Sequence, residues 1–166
     1  MVDHLVARGL TRIAFIGGDA SRDTRGTDRR AGFIKAMQAH GLDASRLIDA
    51  GAPPISMREG AAAMGRLLDS LTDTEGVIAV SDLSAFGALT ECQRRGVAVP
   101  GQISIGGFGD YEIAGVAVPA ITTIDPHPHE IGLRAAALIL DVLDGRQVGA
   151  SQVVLRPDLL TRQSSR

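Results

Sequence analysis

Short apolar runs alternate along this chain with longer segments in which apolar residues recur at helical spacing. The short runs have the length of buried strands and read "RIAFIGG", "SRLIDAG", "GVIAVSD" and "QISIGGF". The longer segments between them read "DRRAGFIKAMQAHG", "SMREGAAAMGRLLDSL" and "LSAFGALTECQRRG". Strands that alternate with helices of this length predict βαβ units. The predicted fold class is therefore α/β, with a doubly wound parallel sheet and helices on both faces.

Local signals mark several ends of these elements. Residues 2–8 read as a helix that Gly9 stops, and Gly41 follows the end of the next helix. Ser56 precedes an amphipathic segment and Glu59 stands three residues later, which predicts a capping box.

The last third of the chain is less regular. An irregular stretch follows Asp110, then a short strand "ITTI" and a helix near 128–144. The segments "QVVLRP" and "LLTRQ" read as closing strands. The helix near 128–144 has an apolar stripe made of Ile131, Ala135, Leu138, Ile139 and Val142.

Composition restricts the class of protein. The chain has 166 residues, of which 45% are hydrophobic and 22% are charged, as in ordinary globular domains. A net charge of −2 argues against a chain that binds nucleic acid by itself. One cysteine allows no intrachain disulfide, and neither a signal peptide nor a membrane span is evident. We expect a cytoplasmic protein with no membrane partner.

Ligands of doubly wound sheets bind beyond the carboxyl ends of the strands. Four segments are predicted to meet there, namely 17–29, 51–56, 81–82 and 107–110. The last of these belongs to "GQISIGGFGD", in which several glycines, which have no side chain to cover the backbone, precede the carboxylate of Asp110. Any binding residues are expected to come from these four segments.

Four polar residues in these segments each have two interpretations. Arg29 has a forked guanidinium that can grip a carboxylate or sugar hydroxyls, or it is a solvated arginine paired with Asp28 or Asp19. Ser81 and Asp82 cap the helix that follows them, and a cap and a ligand contact can coexist. Asp110 either binds or only turns the chain.

Other chemistry lacks support in the sequence. The glycines of "IGGDASRDTRG" fit neither the dinucleotide fingerprint nor the phosphate loop. His127 and His129 have no further metal ligands nearby at suitable spacing, and no catalytic triad is evident. Cys92 lies on the apolar stripe of a helix and reads as a structural thiol. We therefore expect no enzymatic activity, no metal and no cofactor.

Six segments together resemble the effector-binding core of the lactose/galactose-repressor (LacI/GalR) family. They read "DHLVARGLTRIAFIGG", "RRAGFIKAM", "VIAVSDLSAFGAL", "RRGVAVPGQISIGGFGD", "VPAITTID" and "EIGLRAAALILDVLDG". The resemblance implies a periplasmic-binding-protein-like fold of two α/β lobes with a small molecule between them. It also implies that residues 1–118 and 148–166 form the C-terminal lobe and that residues 119–147 belong to the N-terminal lobe. The DNA-binding headpiece of the family is missing from this chain.

The resemblance also assigns roles to single residues. Arg29 matches an arginine that contacts effector hydroxyls, and Ser81 and Asp82 stand where the family usually has Asn-Asp. Ile55 occupies a position that is often aromatic and stacks on the sugar ring. Ser56, the next residue, is also expected to bind the effector.

Gly109 is the sharpest departure from the family pattern, which reads "G-[YF]-D-D", with Asp110 as the second Asp. Its first Asp accepts hydrogen bonds from a neutral sugar. A glycine removes that charge and can offer its backbone N–H instead. The phrase "GFGDYEIA" resembles the gluconate-repressor branch, so the resemblance implies a sugar or sugar-acid effector. The alternative is that Gly109 only makes a tight turn.

The resemblance implies a homodimer that reaches operator DNA through the missing headpiece. Pairing is expected through the helix near 83–95 and the segment 111–118. Two rival functions are a solute-binding protein without a DNA-binding role and a small α/β enzyme. The missing signal peptide counts against the first rival, and the missing phosphate fingerprint counts against the second.

Overall fold

The computed structural model describes residues 1–18, 24–146 and 152–165. Its helices are α1 (Val2–Val6), α2 (Thr24–Ala39), α3 (Met57–Ser70), α4 (Asp82–Arg94), α5 (Glu112–Val116) and α6 (Pro128–Leu143). Its strands are β1 (Ile13–Gly17), β2 (Leu47–Asp49), β3 (Gly76–Ala79), β4 (Ser104–Gly106), β5 (Thr123–Asp125) and β6 (Asp158–Leu160).

A parallel four-stranded sheet forms the centre of the molecule, with the strand order β2-β1-β3-β4. All residues of β1, β3 and β4 are buried, which explains why β1 and β3 carry no polar side chain. The chain runs outwards from β1 to β2 and then returns past β1 to β3. With right-handed crossovers, α2 lies on one face while α3 and α4 lie on the other. The α/β fold class is therefore confirmed, and the strand order reverses between β1 and β3.

Several predicted boundaries are wrong. Helix α2 begins at Thr24, so Arg29 lies in its second turn and does not open the helix. The segment "QVVLRP" is not a strand, since strand pairing in that part of the described chain starts only at Asp158. The irregular stretch after Asp110 contains the short helix α5. Its five residues were too few to show helical periodicity in the sequence.

Helices α3 and α4 approach each other closely at two glycines. A Cβ on Gly60 would collide with the backbone of Ser84, and a Cβ on Gly87 would collide with the backbone of Met57 and Ala61. Because the obstructing atoms are backbone, a larger residue forces the whole helix to move. This contact fixes the amino-terminal end of α4 over the sheet.

We expect Gly87→Ala to lower the free energy of unfolding by about 1–3 kcal/mol, because it overpacks this helix contact. Gly32→Ala is the matched control, since Gly32 is exposed on α2 and a Cβ there meets nothing within 4 Å. The control variant is expected to be neutral or slightly stabilising, because alanine favours the helix. Urea denaturation of both variants measures the difference, and equal midpoints would contradict the close approach.

Strands β5 and β6 form a second, antiparallel pair, and α6 lies between them in the chain. No residue of α6 is buried. Its large exposed apolar residues are Ile131, Leu133, Ile139, Leu140, Val142 and Leu143. A helix that is apolar over most of its circumference is normally buried. No helix in the described part of the chain is long and apolar enough to cross a membrane.

Candidate functional site

Arg29 joins the carboxyl ends of β3 and β4, the two strands on one side of the point where the strand order reverses. Its Nη1 donates a hydrogen bond to the Val80 carbonyl oxygen at 2.8 Å, just after β3. Its guanidinium lies over the Phe108 ring, 3.7 Å from the centroid, just after β4. Val80 precedes Ser81 and Phe108 precedes Gly109, so Arg29 brings the predicted residues of both segments together. These residues around Arg29 are called the mouth below.

The amino-terminal end of α4 forms one side of the mouth. The Ser81 Oγ accepts from the Ser84 N–H at 3.3 Å, and the Ser84 Oγ accepts from the Ser81 N–H at 3.2 Å. This reciprocal pair is a capping box, which confirms the predicted cap. The Asp82 N–H donates to the Phe108 carbonyl oxygen at 3.0 Å and ties α4 to the loop after β4.

Asp82 lies beneath the mouth and has no exposed surface. Its Oδ1 accepts from the Thr123 hydroxyl at 2.5 Å, and its Oδ2 accepts from the Tyr111 N–H at 2.8 Å. Burial raises the pKa of the Asp82 carboxyl above its usual value, and the nearby Asp110 acts in the same direction. Both Asp82 oxygens thus hold protein groups in place.

Gly109 adopts a backbone conformation that only glycine tolerates well, with φ at +127°. Its N–H donates to the Ile124 carbonyl oxygen at 2.8 Å. The expectation that this N–H is offered to a ligand is therefore wrong, because β5 already uses it. A Cβ at this position would lie 2.9 Å from a Tyr111 ring carbon. The glycine thus makes a tight turn and also leaves the mouth without a side chain at this position.

Asp110 is the next residue and also has a positive φ, +50°. Its carboxylate forms an ion pair with Arg162, with 2.6 Å between Oδ1 and Nη2. The turn interpretation of Asp110 thus agrees with its geometry. The pairing with Arg162 had no signal in the sequence, since the two residues are 52 positions apart.

The segment 51–56 contributes less to the mouth than the family pattern implies. Ile55 is only 6% exposed and packs at the end of β1, where its side chain lies against Gly18. Ser56 is exposed and caps α3 in a capping box with Glu59, as predicted. Asp19, the other proposed partner of Arg29, lies outside the described residues.

A cavity of about 200 Å³ adjoins the mouth on the α2 side of the sheet. Arg29 and Phe108 stand at its edge, and the remaining lining is mostly apolar, including Phe15, Phe33 and Ile124. Phe108 was missed as a site residue, because in the sequence it looks like the end of a buried strand. Its position under the guanidinium is visible only in three dimensions.

His127 and Cys92 were two further candidates for chemistry, and both have structural explanations. His127 lies between two carboxylates, with Nδ1 3.2 Å from Asp125 and Nε2 3.1 Å from Asp158. Within the described residues no group of His, Cys, Asp and Glu is arranged to hold a metal ion. Burial raises the pKa of the Cys92 thiol to about 12, which fits the predicted inert thiol.

Comparison with known proteins gives consistent matches over the whole chain. Residues 2–165 match the family of periplasmic binding protein-like domains. The HTH-type transcriptional regulator GntR of Pseudomonas aeruginosa is 36% identical over 98% of this chain and 47% of that protein. The chain thus spans about half the length of the curated relatives it matches.

Solved structures agree with the sequence matches. A LacI family transcriptional regulator from Silicibacter pomeroyi superposes with a TM-score of 0.91 at 41% identity, over 99% of this chain and 59% of that chain. A complex of the transcriptional regulator CelR with cellobiose superposes with a TM-score of 0.87 at 29% identity, over 99% of this chain and 50% of that chain.

Proposed function

The chain belongs to the periplasmic binding protein-like domains of LacI-family transcriptional regulators, and from this membership we propose that it senses a small-molecule effector for a bacterial DNA-binding repressor. The observation that carries the proposal is the position of Arg29. Its guanidinium is held by a carbonyl and an aromatic ring at the carboxyl ends of β3 and β4, and ligands of such folds bind beyond the carboxyl ends of the strands. Such a repressor acts in the cytoplasm.

The proposed effector is a sugar acid such as gluconate. The similar structure of CelR is a complex with the sugar cellobiose, which supports a sugar-like ligand for this chain. Arg29 supplies a fixed cation at the mouth, and Gly109 leaves out a carboxylate that would repel an anion. The proposed contacts are therefore Arg29 and Ser81. The proposed role of the other candidates is to shape the mouth: Asp82 from beneath it, and Gly109 and Asp110 from the turn beside it.

The proposed division of the chain places residues 1–118 and 148–166 in one lobe and residues 119–147 in a second lobe. The unburied helix α6 supports this division, and the β5–β6 pair lies where the chain crosses between the two proposed lobes. The boundary near 148 lies outside the described residues. On this proposal, α6 packs in a lobe built mostly from other parts of a longer protein.

Dimerisation is proposed through α4 and the segment 111–118. This segment exposes Val116 and Val118 at 65% and 78%, while Ala114 and Ala117 anchor it to the core. The Gln93 side chain of α4 donates to the Val118 carbonyl oxygen at 2.7 Å, which joins the two elements into one surface. Exposed valines beside a rigid helix are typical of a surface that pairs with a symmetric copy.

Val118→Asp is expected to weaken the dimer by about tenfold or more, because it places a charge in an apolar contact. Val154→Asp is the matched control, since Val154 is 77% exposed but lies on a different segment. Analytical ultracentrifugation over a concentration series measures both dissociation constants. A monomeric wild type, or equal weakening by both variants, would contradict the proposed interface.

The proposed function is tested by fluorescence anisotropy of the full-length protein with DNA from the promoter region beside its own gene. We expect the protein to bind this DNA tightly and a sugar acid to weaken that binding. The same sugar acid should raise the unfolding temperature of the protein. A protein that binds the ligand but no DNA would support the alternative, a solute-binding protein without a DNA-binding role.

A further inference from the structure

We propose that Arg162 is a positioning residue that also sets the charge specificity of the mouth. It neutralises Asp110 and holds the turn that contains Gly109, so that this turn adds no unpaired carboxylate to the described part of the mouth. This inference rests on the proposed sugar-acid effector. It adds a residue from the distant end of the chain that no family position suggested.

The Arg162 side chain is fixed by more than one partner. Its Nη2 lies 2.6 Å from the Asp110 carboxylate, and its Nη1 donates to the Ile121 carbonyl oxygen at 3.2 Å. Its backbone N–H donates to the Thr122 hydroxyl at 2.9 Å. The side chains of Arg162 and Asp110 are 24% and 30% exposed, so solvent screens the pair less than a surface ion pair.

The turn after β4 depends on contacts from the neighbouring segment before and within β5. The Gly107 N–H donates to the Thr122 carbonyl oxygen and the Gly109 N–H donates to the Ile124 carbonyl oxygen, both at 2.8 Å. Asp110 then takes a positive φ, an uncommon conformation for a residue with a side chain. The ion pair with Arg162 stabilises this conformation from the segment after β6, which returns beside β5.

Charge is the second part of the argument. Asp110 follows Gly109 directly, so its carboxylate is the nearest one in sequence to the position where relatives carry a ligand-binding Asp. Without Arg162 that carboxylate would repel an anionic ligand and leave a neutral one unaffected. Replacing the arginine should therefore change the preference between acid and neutral sugar, which a purely structural role would not do.

The test uses R162Q, D110N, R162K and the double variant R162Q/D110N in the full-length protein, with gluconate and glucose as calorimetric probes. R162Q should lower the gluconate-to-glucose affinity ratio about tenfold, because one free carboxylate repels the acid. The double variant should restore the ratio, since no charge remains, and R162K should keep it. An unchanged ratio in R162Q, or no recovery in the double variant, would overturn the charge role.

Hydrogen–deuterium exchange tests the positioning role without any ligand. R162Q and D110N should both speed exchange at the Gly109 and Tyr111 amides, and R162K should do so less. Unchanged protection in R162Q would overturn the positioning role. If wild type binds neither probe, the sugar-acid proposal fails, and the exchange rates still decide whether Arg162 holds the turn.

Discussion

Arg29→Ala is expected to weaken effector binding by about ten- to hundredfold, because a charge-assisted hydrogen bond contributes about 1.5–3 kcal/mol. Arg29 is half-buried and bonded to the Val80 carbonyl oxygen, so the variant also loses some stability. Calorimetry at a temperature well below the unfolding midpoint of the variant separates the two effects.

Two further variants make this result specific. Arg29→Lys keeps the charge but loses the fork, and we expect it to bind the effector with intermediate affinity. Arg12→Ala removes one positive charge beside Glu75, at the opposite end of the strands, and should leave effector affinity unchanged. If Arg12→Ala and Arg29→Ala weaken binding equally, Arg29 acts only through net charge and the proposed contact is wrong.

Gly109→Asp is expected to reduce gluconate affinity at least about tenfold relative to Gly109→Asn, because like charges brought together cost several kcal/mol. The asparagine variant is needed because φ at +127° strains any side chain at this position. Both variants also meet the Tyr111 ring, so they share the same steric cost. The difference between them therefore isolates the charge.

Glucose is the matched ligand for these two variants. Its affinity for the aspartate and asparagine variants should agree within about twofold, because a neutral sugar is not repelled by a carboxylate. If gluconate affinity also agrees between the two variants, the mouth does not face the effector's charge, and Gly109 has only its turn role.

The fold was predictable because its signals are local. The buried strands β1 and β3 carry no polar side chain, and the capping box at Ser56 and the cap at Ser81 are formed by residues three apart. Helix α5 escaped prediction because one turn carries no periodicity. The predicted strand "QVVLRP" contains β-branched residues, but a strand also needs a neighbour, and the sequence does not show one.

The site was only partly predictable, because its residues meet through long-range contacts. Arg29, Ser81 and Gly109 could be named from strand ends and from the family pattern. The Phe108 ring under the guanidinium and the Arg162 ion pair with Asp110 depend on how the crossover segments fold back. The hydrogen bond of the Gly109 N–H could not be predicted from the sequence either, since its acceptor is a backbone carbonyl fifteen positions away.

The most direct test of the central claim is calorimetric titration of the wild-type full-length protein with gluconate and with glucose at moderate ionic strength. The proposed mouth has a fixed cation, a neutralised Asp110 and no side chain at Gly109, so gluconate should bind more tightly by about tenfold or more. Tighter binding of glucose, or equal affinity for both, would contradict a sugar-acid effector.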